Sequence, residues 1–278
     1  MSEPDVGQFM KFFARHFVAI CLVFRLKEDV GADRFFAASG AFIKIGEIHG
    51  ILTAGHVINY LKEAVSDDRL IKADCYLADT FGPVKLSDIG VPYSLKDAPC
   101  LDFDFKGLDF GVLFLNDNQV RLIEKHAIVP ITYEGSFNEP SDLDRFWIMG
   151  LPAELTSDRV SDIGHGTVAL GIVPLKKLQE DDRDEGNFPR FKGEIIGDLG
   201  VESIEGMSGG PIFGICSDRP QKYWIVAIQS SWLQSRRIVY GCPIPVIVDI
   251  LQGLHDDCAA DLEAKGFSRE SEATPETE

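Results

Sequence analysis

The sequence is short of what would mark it as exported, membrane-spanning or nucleic-acid-binding. Its six cysteines, Cys21, Cys75, Cys100, Cys216, Cys242 and Cys258, form no CxxC pair and no metal-ligand spacing. Nothing in the chain therefore asks for a metal or a cofactor. An even count in a long chain does not establish disulfides, and most of these residues read as small buried hydrophobes in a reducing compartment. Positive charge is scarce, with 27 Lys and Arg against 44 Asp and Glu and a net charge of −17. A surface that tracks phosphates needs the reverse balance, which excludes general nucleic-acid binding. Long apolar runs are missing too. The stretch from Phe9 to Phe24 is broken by Lys11, Arg15 and His16, and its clean part, Phe17 to Phe24, is only eight residues long. That is too short to cross a membrane and right for a buried strand. The acidic start, Met1-Ser-Glu-Pro-Asp5, is wrong for an export signal. The expectation is a cytoplasmic protein with no membrane partner.

What is present is a chain of 278 residues, 45% hydrophobic, long enough for two units with substantial cores. Short apolar runs rich in β-branched and aromatic residues alternate with turn residues. They are Phe17–Phe24, Gly40–Ile45, Gly50–Thr53, Asp109–Leu115, Arg145–Met149, Gly166–Val173 and Lys222–Ile228. Few stretches keep a helical period. Val57–Val65 reads as a short helix and Pro245–Leu254 as a C-terminal one. The pattern is all-β, of sandwich or barrel type. Residues 83–107 and the densely charged 176–193 read as surface loops. The spacing divides the chain into a first unit over 1–125, a second over 126–257 and a disordered acidic tail over 258–278, with the boundary inside 116–144.

Three short motifs carry chemistry. Gly206-Met-Ser-Gly-Gly-Pro211 sets a serine in a glycine-rich turn; five fixed letters arise by chance about 3 × 10⁻⁴ times in a chain this long. A nucleophilic serine needs such a turn, with backbone N–H groups aimed at a developing oxyanion. Leu52-Thr-Ala-Gly-His-Val57 places a histidine directly after an apolar strand, where a single tautomer can be held. Leu108-Asp-Phe-Gly-Val-Leu-Phe-Leu115 opens an apolar strand with an aspartate, and a carboxylate near a core needs a hydrogen-bond partner. Asp102 and Asp104 compete with Asp109 for that role but lie in the loop-like segment. The order His56, Asp109, Ser208 is that of one of the known serine-hydrolase triads.

With these motifs the sequence resembles the trypsin/chymotrypsin superfamily, in particular its intracellular bacterial-type members. Thr53-Ala-Gly-His56, Asp109-Phe-Gly-Val-Leu113 and Gly206-Met-Ser-Gly-Gly-Pro211 look like the family's histidine, aspartate and serine motifs. Gly40–Ile43, Trp147–Pro152, Val226–Ser230 and Tyr240–Pro245 are similar to flanking strands, so the resemblance spans about residues 17–254. It implies two Greek-key antiparallel β-barrels with a short C-terminal helix. It also implies a serine endopeptidase acting on polypeptides through His56, Asp109 and Ser208, with the N–H groups of Gly206 and Ser208 as oxyanion hole. Two departures stand out. No cysteine follows His56, where Val57 stands, and Met207 replaces the aspartate that precedes the serine in trypsins. Disulfide-bonded, zymogen-type activation is therefore not expected.

By the same resemblance Glu202 lies at the base of the primary pocket and Ser230 on the strand that lines it. Glu202 and Glu205 read equally as solvated loop residues, and His165 as a pocket or loop histidine. Two other functions stay open: a pseudoprotease that keeps the barrels without turnover, and a protease triggered by an activating protein partner, as in stress or antiviral defence. The orientation of the peptide just before Ser208 decides whether the oxyanion hole is formed.

Overall fold

In the computed structural model, residues 11–29, 33–79, 90–105, 107–132, 141–160, 166–179, 188–197 and 200–264 are described. The first apolar run becomes β1 (Phe17–Leu26), buried along nearly its whole length. Its two faces serve different cores. Phe17, Ala19 and Cys21 join one hydrophobic cluster, while Val18, Ile20 and Leu22 join another. Side chains alternate across a strand, so a continuous apolar run is what a strand covered on both faces requires.

β1 sits in an eight-stranded sheet with β2 (Arg34–Ile45), β3 (Ile48–Thr53), β4 (Leu70–Ala78), β5 (Val91–Tyr93), β6 (Cys100–Phe105), β7 (Leu108–Phe114) and β8 (Ile131–Thr132). The order is β5-β4-β1-β2-β3-β7-β6, with β8 pairing parallel to the end of β2. One face is covered by α1 (Gly55–Ser66) and α2 (Asp117–Lys125), through Val57, Ile58, Leu61, Val65, Val120 and Ile123. The other face meets the second unit in a shared cluster that includes Phe110, Val112, Trp147, Met149, Phe213 and Cys242.

The second unit is a closed barrel, β10-β11-β14-β13-β12-β9. Its strands are β9 (Arg145–Gly150), β10 (Gly171–Lys177), β11 (Phe191–Ile195), β12 (Pro211–Ile215), β13 (Tyr223–Leu233) and β14 (Ile238–Pro243). Closure removes exposed sheet edges and encloses Phe146, Ile148, Val173, Leu175, Ile212 and Val239. A C-terminal helix, α3 (Ile244–Ala264), docks Ile244, Ile247, Val248 and Leu251 into the shared cluster. No helix among the described residues is long and apolar enough to cross a membrane.

Several local expectations change. The loop expected at 83–107 holds β5 and β6. The boundary stretch holds α2, and β8 returns to the first sheet from beyond residue 125. The run expected at Gly166–Val173 is strand only from Gly171 and continues to Lys177. The C-terminal helix extends beyond Leu254 into the segment expected as tail, and residues 265–278 lie outside the described residues. Of the two expected barrels, the second is closed. In the first, no pairing among the described residues joins the outer strands β5 and β6.

Candidate active site

His56 is the second residue of α1, directly after β3. The first N–H groups of a helix have no partner within it, and the N-cap residue, Ala54, has no side chain that can cap them. Asp109, near the start of β7, fills this role from outside. Its Oδ1 accepts the His56 backbone N–H at 3.1 Å, and its Oδ2 lies 2.7 Å from His56 Nδ1. One carboxylate thus fixes both the backbone and the ring of the same residue, and the positive end of the helix dipole favours its charge. With Nδ1–H donating to the carboxylate, Nε2 carries the lone pair and is free to accept a proton. The hydrogen bond to Asp109 is the main cause raising the His56 pKa above its ordinary value; burial opposes it, and the charges of Asp109 and Asp104 add to it. The competing carboxylates are used elsewhere. Asp102 pairs with Lys62 at 2.7 Å, and Asp104 accepts from Asn59 at 3.3 Å.

Ser208 sits in the turn that leads into β12. Met207, just before it, is fully buried in the barrel core. An apolar anchor therefore holds the turn. Gly209, just after it, has φ +83° and packs so closely that a Cβ there would lie 2.0 Å from Thr53 Oγ1 and 3.0 Å from the Ala54 nitrogen. Only glycine fits that conformation and that approach. The serine turn is thus pressed against the segment that ends in His56, although 152 positions separate the two side chains (208 − 56). Thr53 Oγ1 donates to the Ser39 carbonyl, and Ser39 Oγ accepts the Leu151 N–H at 2.9 Å. These buried bonds tie the first sheet to the second unit beside the turn. Among the described residues, no hydrogen bond joins Ser208 Oγ to His56, a contact that often forms only with substrate bound.

Two backbone carbonyls beside Ser208 are held by hydrogen bonds. The Glu205 carbonyl accepts the Ala153 N–H at 2.7 Å, and the Met207 carbonyl accepts the Gly210 N–H at 2.9 Å. In a trans peptide the N–H points opposite to the C=O. The N–H groups of Gly206, at φ +87°, and Ser208 are therefore turned away from those acceptors. Among the described residues neither has a hydrogen-bond partner, whereas those of Met207, Gly209 and Gly210 do. Both residues are half-buried and reachable from solvent.

The expected pocket residues fall in different places. Glu202 is exposed, and its N–H donates to Glu154 Oε1 at 2.9 Å. Ser230 lies at a bulge of β13, with its Oγ 3.4 Å from the Tyr240 carbonyl. His165 lies outside the described residues. Sequence reasoning missed Ser39, Ala153 and Gln229. Gln229 did leave a signal, as an amide directly after the apolar run Tyr223–Ile228. The other two act through a buried bond and a backbone N–H that no motif announces.

The architecture is a closed antiparallel barrel beside a second sheet that is antiparallel except at β8, with a C-terminal helix. Solved structures similar to this chain include a mutant of tobacco etch virus protease, 12% identical over 84% of this chain and 76% of that one, at a TM-score of 0.42. A thermostable serine protease, AL20, from an extremophilic microorganism is 11% identical over 83% and 92%, at 0.47. A Glu endopeptidase in complex with MPD is 13% identical over 81% and 84%, at 0.44. No protein-family description matches the chain, and no curated protein matches it.

Proposed function

We propose that the protein is a serine endopeptidase that cleaves polypeptides through an acyl-enzyme intermediate, with His56, Asp109 and Ser208 as its triad. The observation that carries this reading is the packing of Gly209 against Thr53 and Ala54, which brings the serine turn to a histidine already fixed by Asp109. Ser208 Oγ attacks the peptide carbonyl while His56 Nε2 takes its proton. The tetrahedral oxyanion accepts hydrogen bonds from the N–H groups of Gly206 and Ser208. His56 then gives the proton to the leaving amine. Water, activated by the same histidine, releases the acyl group and restores the serine. Asp109 stays ionised and stabilises the imidazolium. The two unpartnered N–H groups support the oxyanion assignment, and one such donor is worth about 10²–10³ in rate.

The five described cysteines, Cys21, Cys75, Cys100, Cys216 and Cys242, are free thiols. They support a reducing, cytoplasmic setting. A second reading is a protease that a partner triggers. That form would turn over peptides only after a protein partner is added. The direct test is hydrolysis of a mixed peptide library by wild type and Ser208→Ala. The proposal expects turnover by wild type and a loss of about 10⁴-fold or more in the variant. Undiminished turnover by pure Ser208→Ala protein overturns it.

A further inference from the structure

Gln229 is the one buried residue with an unsatisfied side-chain polar atom among the described residues. It is 1% exposed, and its Oε1 has no hydrogen-bond partner. Buried polar atoms are almost always paired, so an orphan calls for a physical reason. Its position supplies one. Its backbone brackets the serine turn, accepting the Gly209 N–H and donating to the Gly210 carbonyl, both at 2.9 Å. Gln229 lies opposite Gly241 in the β13–β14 register, so positions 229 and 241 share a face of the sheet. A Cβ on Gly241 would meet Ala227 Cβ and Ile212 Cδ1, both part of the barrel core. The Gln229 carboxamide therefore belongs to the inward face, at the end of the barrel that the serine turn covers. Just beyond it, β13 bulges at Ser230, and its pairing with β12 has already ended at Ile228. Beyond the two bonds of Gln229 to the serine turn, no pairing of β13 with β12 continues among the described residues, so from Ser230 onward that edge of β13 is unpaired.

We propose that Gln229 selects the substrate residue on the acyl side of the cleaved bond, and that this residue is glutamine or asparagine. The inference rests on the endopeptidase reading and names its substrate class. A primary carboxamide offers a donor to Oε1 and an acceptor to Nε2, whichever way the Gln229 amide is turned. A buried lysine or arginine would need a carboxylate, and a buried glutamate a cation. The buried polar residues among those described are His16, Ser39, Thr53, Asp79 and Gln229. Asp79 follows β4 in the first unit and His16 precedes β1, so neither belongs to the barrel. The exposed Glu202 stays on the surface. An apolar substrate residue would leave Oε1 unpaired, and sites built to hydrogen-bond discriminate strongly against partners that cannot.

The test profiles a positional peptide library with wild type, Gln229→Leu and Gln229→Glu, and follows fluorophosphonate labelling of each in parallel. Wild type should cleave after glutamine or asparagine on the order of 10² times faster than after leucine, arginine or glutamate. Gln229→Leu should still take the label but lose the preference. Gln229→Glu should shift cleavage toward lysine and arginine, a change that a merely structural glutamine would not produce, and it decides the matter if the leucine variant fails to fold. A labelled wild type that cleaves after basic or apolar residues overturns this inference and leaves the endopeptidase reading intact. A wild type that neither labels nor cleaves overturns both.

Discussion

His56 is held by a single carboxylate through two atoms, and the consequences are electrostatic. Asp109 stabilises the imidazolium, so the ring titrates above its ordinary value of 6.5. The proposed mechanism needs the neutral ring, so kcat/KM should fall as pH drops through that raised value, placing the acidic limb above pH 6.5. For stability the sign is the reverse. The pairing stabilises the fold below the unfolded value, and this contribution is lost as pH rises through the raised folded one. Asp109→Asn removes the main cause of the shift and the preference for one tautomer. The ring pKa, read by NMR titration, should move down, and turnover should drop about 10⁴-fold. A ring that titrates unchanged in that variant contradicts the assignment of Asp109. In the sequence each residue of the site was ambiguous alone, since a histidine after a strand, an aspartate opening one and a serine in a glycine-rich turn all have ordinary structural reasons to stand there; only their combination and order pointed to a triad. The sequence already favoured Asp109 over Asp102 and Asp104, and in the structure those two are engaged by Lys62 and Asn59.

At the scale of elements, the turn before β12 is fixed by Met207 in the barrel core rather than by a charge. Met207→Ala should destabilise the fold by about 2–5 kcal/mol and lower turnover by releasing the Gly206 peptide. Met207→Leu should cost less than about 1.5 kcal/mol and keep activity. Urea unfolding and peptide hydrolysis on the same preparations check both, and an alanine variant with wild-type stability would contradict the anchoring role. Strands β1, β2, β3, β7, β9 and β13 were readable from their apolar runs, whereas the short, fully buried β12 was not. β6 was not, because its exposed Asp104 and Phe105 and half-buried Asp102 break the apolar signal. The helix α2 hid among turn-forming residues. Asn116 accepts the Gln119 N–H, and the Gln119 side chain accepts the Asn116 N–H, so what reads as a turn is a capping box.

At the scale of the molecule, the two units are joined by side chains that no local pattern reveals. Phe13 stacks on Phe213 at 4.2 Å. His16, from the segment before β1, lies 2.6 Å from the Val129 carbonyl through Nδ1 and 2.5 Å from the Tyr223 hydroxyl through Nε2. Nδ1 must donate to the carbonyl, and Nε2 accepts from Arg15 Nε–H at 3.2 Å, so the ring is neutral. Burial lowers its pKa to about 4. The unfolded histidine binds a proton below about 6.5 and the folded one does not, so stability falls as pH drops from there to about 4, by roughly 3 kcal/mol. Chemical unfolding of wild type and His16→Gln at about pH 7 and about pH 4.5 isolates this share. The variant should lose less stability between the two; an equal loss contradicts the link. The same docking of units carries the central claim, that Ser208 is the nucleophile completed by a histidine from the other unit. The most direct measurement is mass-spectrometric mapping of a fluorophosphonate adduct on the intact protein. The account predicts one adduct, on Ser208, formed in wild type and lost in His56→Ala; an adduct on another residue, or none at all, would contradict it.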